Sequence, residues 1–297
     1  MKIGFIGLGA MGRPIAANLQ RAGHAVQAHD MRRVEGSFAW KDSPAEVARG
    51  CEVLFSSLPG PAEVEAVASA VKSSLAENTA WFDLSTNSPS VVRRLQADLA
   101  KKGVHFLDAP VSGGPKGAQS GKLAIWVGGD EAVFRRFEPV LRAIGDQPYY
   151  VGPIGAGTVA KLAHNAASFT IQAALAEVFT LGVKAGVEPL ALLRALRQGA
   201  TGRKRTFDRL AEHFLPGVYD PPAFTVRLAH KDMTLALEVA GECGVPMRVG
   251  RIAFEELDEA MKRGWGNRDC RVAMTLQEER AAVSVKVPRD RLAGALD

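Results

Sequence analysis

Residues 3–12 read Ile3-Gly4-Phe5-Ile6-Gly7-Leu8-Gly9-Ala10-Met11-Gly12, an apolar run that passes directly into G-x-G-x-x-G. Glycine-rich turns are common, and this one takes its meaning from what flanks it. A short apolar strand precedes it. After it, Met11, Ile15, Leu19 and Ala22 recur at helical spacing until Gly23 offers a stop. A second short strand, His24–His29, leads to Asp30, eighteen residues beyond Gly12. A dinucleotide-binding unit carries at that position the carboxylate that accepts hydrogen bonds from the adenosine ribose. Gly7 permits the tight turn, Gly9 lets the backbone approach a pyrophosphate, and Gly12 lets the helix pack closely on the strand. The helix start adds N–H groups and the positive end of a dipole. Gly7, Leu8, Gly9, Ala10, Met11, Gly12 and Asp30 are therefore candidate cofactor-binding residues.

Working outward, Val53–Leu58, Ala80–Leu84, His105–Asp108, Leu123–Val127 and Tyr149–Val151 read as further strands, with helices over Ala62–Val71 and Pro89–Lys101. This alternation predicts a mostly parallel, doubly wound sheet. Ligands of such sheets lie outside the carboxyl ends of the strands, where Leu58-Pro59, Ser85-Thr86 and Val111-Ser112 fall. After Gly152-Pro153 the strand signals cease. Residues 157–185 form one long apolar-rich helical stretch, roughly 40 Å at the usual rise, ended by Gly186. Further helices are expected at 189–198, 203–214, 224–243, 247–263 and 270–280, and the last dozen residues read as a polar tail. The fold class expected is α/β: a Rossmann-type domain over 1–153, then an all-α domain over 154–297 for substrate and subunit contacts. A helix of that length exceeds one small domain, which predicts a homodimer or homotetramer.

Composition narrows the class. The net charge is +5, but the charges are interleaved, with no like-charged block of five or six. A solvated surface is the reading, and no nucleic-acid partner is expected. Cys51, Cys243 and Cys270 lack C-x-x-C spacing, which argues against a disulfide frame or zinc site and fits a reducing cytosol. A strand at residue 2 leaves no room for a signal peptide. Ala166–Val183, the most apolar long stretch, is interrupted by Ser168, Gln172 and Glu177, so no membrane span is expected. The expectation is a cytoplasmic protein. The six histidines show no metal-ligand spacing, and no Ser-His-Asp order, carboxylate pair or H-E-x-x-H is present. No metal is expected.

Three further segments carry chemistry. Lys161 and Asn165 open the long helix and, four residues apart, share one face. A lysine near the positive end of a helix dipole loses proton affinity, which suits general acid–base work; a snorkelling surface lysine is the alternative. Ser112, Gly113 and Gly114 follow a strand end and offer an anion-binding nest for a carboxylate, or else a plain tight turn. Lys231-Asp232 lies in a helical stretch whose core contacts are expected from Phe224, Leu228, Met233 and Leu235. A solvent-facing pair is the usual outcome there. The basic run 199–209 reads either as a pocket border suited to a dicarboxylate, phosphorylated or sulfonated acid, or as a solvated turn.

Taken together these motifs resemble the β-hydroxyacid dehydrogenase family, which includes 3-hydroxyisobutyrate dehydrogenase and tartronate semialdehyde reductase. The resemblance rests on Phe5–Gly12 with Asn18-Leu19, Asp108–Gly114 continuing to Gly121-Lys122-Leu123, Gly155-Ala156-Gly157 with Lys161 and Asn165, and Lys231-Asp232. Leu84–Pro89 fits the strand end near the nicotinamide, while Ile15 stands where the family often has Met. The likeness extends over residues 1 to about 280. It implies Lys161 as general acid/base, with Asn165 on the substrate and Ser112, Gly113 and Gly114 on its carboxylate. Lys231 would lie against cofactor and substrate, supported by Asp232, itself counted among the substrate-binding residues. Arg32, Leu58, Pro59 and Thr86 join the cofactor set. The function implied is NAD(P)-dependent oxidation of a small 3-hydroxy acid or reduction of its semialdehyde. Asp30 favours NAD because it would repel a 2′-phosphate, whereas Arg32 and Arg33 could offset that repulsion and admit NADP. The alternatives are an NADPH-dependent glyoxylate or succinic semialdehyde reductase and a non-catalytic dinucleotide-binding module.

Overall fold

The computed structural model describes residues 1–34, 38–184, 186–199, 210–242 and 247–296. Its strands are β1 (Lys2–Ile6), β2 (Ala25–His29), β3 (Ala39–Trp40), β4 (Val53–Ser56), β5 (Ala80–Asp83), β6 (His105–Asp108), β7 (Val111–Ser112), β8 (Ala124–Gly128) and β9 (Gln147–Gly152). They form one sheet in the order β3-β2-β1-β4-β5-β6-β8-β7, with β9 on β8. Pairing is parallel from β3 through β6. β8 runs antiparallel to β6 and β7, and β9 lies parallel to β8.

The central strands are apolar without alternation because both faces are covered. On one face Phe5, Phe55 and Phe82 sit at paired register positions and stack, with centroids 6.2 and 5.6 Å apart. On the other, Ile6, Leu54, Trp81 and Phe106 form a second core, where Trp81 meets Phe106 edge-on at 5.0 Å. The helices around the sheet are α1 (Gly12–Arg21), α2 (Pro44–Ala48), α3 (Pro61–Val71), α4 (Pro89–Ala100), α5 (Gly114–Ser120) and α6 (Glu131–Leu141). Gly23 stops α1 as expected, in left-handed conformation (φ 85°).

The remaining helices are α7 (Ala156–Lys184), α8 (Pro189–Gln198), α9 (Val226–Glu242), α10 (Arg248–Lys262), α11 (Thr275–Ala281) and α12 (Arg289–Leu296), with a 3-10 helix at Cys270–Met274. Two compact units result, Met1–Ala163 and His164–Asp297, so the division falls inside α7. In the second unit Leu175, Phe179, Leu193, Phe214 and Leu292 share a core.

Several expectations need correction. The polar tail is instead α12, because Leu292 is buried in that core and Arg291 reaches Glu188 at 3.4 Å. The helix expected over 203–214 is turn and short 3-10 structure from residue 210, and residues 203–209 lie outside the described set. Helices α5 and α6 were hidden in the sequence. Gly113-Gly114-Pro115 suggests a turn, yet Gly113 and Pro115 start α5, and Gly121 (φ 68°) ends it. In α6, Asp130 caps the helix by accepting from Ala132 and Val133 N–H at 2.8 and 3.1 Å. No helix among the described residues is long and apolar enough to cross a membrane.

Candidate active site

The first unit carries most of the expected residues. At the end of β1, Gly7 has φ 93° and its N–H donates to the His29 carbonyl at 3.0 Å. A Cβ on Gly7 would stand 2.3 Å from the Ser57 carbonyl oxygen, and one on Gly12 would stand 1.8 Å from that of Gly7. Only glycine fits either place. A Cβ on Gly9, by contrast, would meet nothing within 4 Å, so the exposed backbone there is open to a ligand. Helix α1 has no side-chain cap at Met11, but Arg13 N–H donates to the Gly9 carbonyl at 3.1 Å and Pro14 carries no N–H, so an anion would meet the backbone of the turn ahead of the helix. Asp30 closes the cradle: one carboxylate oxygen accepts from Leu8 N–H at 2.6 Å and the other from Arg32 N–H at 3.0 Å. It therefore ties the end of β2 to the glycine turn while keeping lone pairs for ribose hydroxyls. Open backbone at Gly9, close packing of the turn at Gly7 and Gly12, and a placed carboxylate fit a dinucleotide. Arg32 is exposed, and the Arg33 guanidinium lies over Trp40 at 5.8 Å.

A buried network organises the next two strand ends. Asp83, fully buried at the end of β5, accepts from Ser56 Oγ (2.8 Å), Ser85 Oγ (2.6 Å), Ser85 N–H (3.2 Å) and Asn87 Nδ2 (2.9 Å). Ser85 Oγ in turn accepts from Leu58 N–H at 2.9 Å, and Trp81 Nε1 donates to Ser56 Oγ at 2.8 Å. The turns at Leu58-Pro59 and Ser85-Thr86 are thus set by one carboxylate. Burial pushes the Asp83 carboxyl above the usual range, and the hydrogen bonds pull against that rise. Sequence reasoning missed Ser56 and Asp83, and gave Asn87, within Leu84–Pro89, no role of its own. The available signal was an aspartate closing a wholly apolar strand.

Asp108 occupies the equivalent place on β6 and pairs in register with Asp83. Its oxygens accept from Gly155 N–H at 2.7 Å and Thr158 N–H at 2.6 Å, so it caps α7 from a distant strand. Burial raises its carboxyl to about 6, with the Gly155 and Thr158 amides opposing the rise. Lys161, partly buried, follows Thr158 by three residues on α7. Downstream of Asp108, Ser112 ends β7, and Gly113 (φ 132°) and Gly114 (φ 60°) introduce α5.

In the second unit Asn165 and Asp232 are buried, and Asn165 Nδ2 donates to Asp232 Oδ2. Lys231 Nζ pairs with Asp232 Oδ1 at 2.7 Å. The pair is not solvent-facing: Asp232 is 2% exposed and bridges α9 to α7. Of the core contacts expected for α9, Met233 and Leu235 are buried, while Phe224 and Leu228 are partly so. The basic segment 199–209 lies outside the described residues except for Gly199. No cluster of potential metal ligands occurs among the described residues.

Residues 2–152 match the NAD binding domain of 6-phosphogluconate dehydrogenase, and residues 155–276 match the NAD-binding domain of NADP-dependent 3-hydroxyisobutyrate dehydrogenase. The 2-(hydroxymethyl)glutarate dehydrogenase of Eubacterium barkeri is 36% identical, over 96% of this chain and 97% of its own. The chain belongs to the β-hydroxyacid dehydrogenase family. The 3-hydroxyisobutyrate dehydrogenase of Pseudomonas aeruginosa is also 36% identical, over 84% of this chain and 89% of its own. The solved structure of Mycobacterium tuberculosis 3-hydroxyisobutyrate dehydrogenase with L-serine superposes with a TM-score of 0.82 at 30% identity, covering 93% of this chain and 98% of that one. Membership fixes the cofactor class as NAD(P).

Proposed function

We propose that this β-hydroxyacid dehydrogenase oxidises a small acid bearing a hydroxyl on its β-carbon, or reduces the matching semialdehyde, with Lys161 as the general acid/base. The observation that carries this is the position of Lys161, one turn beyond the helix start that Asp108 holds. Relatives named for 2-(hydroxymethyl)glutarate and 3-hydroxyisobutyrate support a β-hydroxy acid as the substrate class. Bound NAD(P) supplies the hydride chemistry at the β-carbon.

Lys161 Nζ takes the hydroxyl proton in oxidation and returns it in reduction. Ser112, with the backbone N–H groups of Gly113 and Gly114, receives the substrate carboxylate. Asn165 orients the carboxylate or hydroxyl through the part of its amide that Asp232 leaves unused. Asp232, whose two oxygens face Asn165 and Lys231, serves both of them; a buried carboxylate is a poor direct ligand for an acid. Leu58, Pro59, Thr86, Arg32 and Lys231 complete the cofactor contacts in this reading.

Replacing Lys161 with Ala is expected to lower kcat by about 10²–10⁴-fold while the NADH dissociation constant stays the same. Full turnover in that variant, or loss of NADH binding, would remove Lys161 from this role. Asp30 supports NAD over NADP, to be read as a higher kcat/KM for NAD. A preference for NADPH would instead support the reductase alternative, in which the exposed Arg32 meets the 2′-phosphate. A cytoplasmic homo-oligomer completes the reading.

A further inference from the structure

We propose that Asp108 is a positioning residue for the proton-transfer step, fixing the start of α7 against the end of β6 and so setting Lys161 relative to Ser112–Gly114. The inference rests on the roles assigned above to Lys161 and to that segment.

A helix start leaves its first N–H groups without partners, and a neighbouring side chain usually supplies the acceptor. Here the residue before α7 is Gly155, which has no side chain to offer. The acceptor comes instead from Asp108, 47 residues earlier, through Gly155 N–H at 2.7 Å; Thr158 N–H donates to the other oxygen at 2.6 Å. The ionised carboxylate accepts both bonds and faces the positive end of the helix.

Glycines make this approach possible. A Cβ on Gly128 would lie 2.5 Å from Asp108 Oδ1, and one on Gly157 would lie 2.2 Å from the Trp126 carbonyl oxygen and 2.8 Å from that of Asp108. The helix start is therefore pressed onto the ends of β6 and β8. Thr158 and Lys161, three apart, share a helix face.

The path from Asp108 to Ser112 is equally fixed. Ala109 N–H donates to the Asp83 carbonyl at 2.8 Å, and Trp126 N–H donates to that of Pro110 at 3.1 Å. Val111 and Ser112 then pair with Ile125 and Ala124. One buried carboxylate thus joins two rigid paths, one ending at the segment assigned to the substrate carboxylate and the other at the lysine assigned to the proton.

The test is Asp108→Asn, whose single carbonyl oxygen satisfies one of the two amides and turns an NH2 toward the other. Amide exchange across Gly155–Thr158, read by mass spectrometry, is expected to quicken about tenfold or more. The kcat is expected to fall about 10²-fold, with a larger deuterium isotope effect for substrate labelled at the hydride-bearing carbon. The NADH dissociation constant, from fluorescence, is expected to stay within about twofold. Should Asp108→Asn not fold, Asp108→Ser, which keeps one short acceptor, is read by the same assays. Unchanged kcat overturns the inference whether or not exchange quickens, as does a fall in kcat matched by an equal loss of NADH affinity. A Lys161→Ala variant that still turns over takes down the functional reading itself. An inactive Lys161→Ala beside a fully active Asp108→Asn takes down this inference alone.

Discussion

Asp83 and Asp108 are register partners on β5 and β6, yet each organises a different set of hydrogen bonds. Asp83 gathers the hydroxyls and amides that shape the Leu58 and Ser85-Thr86 turns. Replacing it with Asn is therefore expected to raise the NADH dissociation constant about tenfold, or 1.4 kcal/mol, with kcat at saturating cofactor little changed. A normal dissociation constant in that variant would separate the network from cofactor binding. Asp108 also carries a pH signature. Its carboxyl is raised from 3.8 to about 6 in the folded protein, chiefly by burial. The folded state therefore holds this proton more tightly than the unfolded chain does. The resulting stabilisation is complete below pH 3.8 and is lost as pH rises through about 6. Denaturant melts of the native protein minus those of Asp108→Asn should shift in favour of the native protein by on the order of 2 kcal/mol from pH 7 to pH 4. A flat difference would place the ionisation elsewhere.

Among the elements, α12 departs furthest from expectation. Three of its eight residues are charged and open it as a polar run, but Leu292 enters the core formed with Leu190, Leu193 and Phe214. Leu292→Ala should cost about 2–4 kcal/mol of stability, read as a lower urea midpoint. A change below about 0.5 kcal/mol would mean that α12 lies against the unit without holding it. Helix α7 raises the opposite issue. Its length and apolar character were plain in the sequence, and Gly186 (φ 96°) follows its end as expected. What the sequence did not show was how its start is held, because the capping side chain belongs to β6.

For the whole molecule, the expectation carried by α7 is self-association. Ile171 on α7 is 45% exposed, and Ile252 on α10 is equally so. Branched apolar side chains this exposed suit a subunit contact when grouped, though singly they are ordinary. Sedimentation at micromolar concentration should return a multiple of the 31.7 kDa chain mass, and Ile171→Glu should shift the distribution toward that mass. A native protein sedimenting at the chain mass would remove the oligomer from the reading.

The glycine turn and its tie to Asp30 were legible because their physics is local: positive φ at Gly7, close packing at Gly12 and the spacing to Asp30 all lie within one strand–turn–helix–strand unit. The alternation of strands and helices was legible for a similar reason, since burial on both faces writes continuous apolar runs into the central strands. Lys161, Asn165 and Ser112 could be named from motif and spacing. The supports around such residues could not. Asp83 and Asp108 look alike in sequence, each an acid closing a buried strand, and only the fold decides that one collects side-chain hydroxyls and the other caps a helix begun 48 residues later. From its own segment Asp232 reads as half of a surface ion pair, and only the resemblance gave it a role; tertiary packing buries it against Asn165. Hydrogen-bond acceptors are chosen by whatever orphaned N–H or amide the fold brings near, and that proximity has no local trace in the chain.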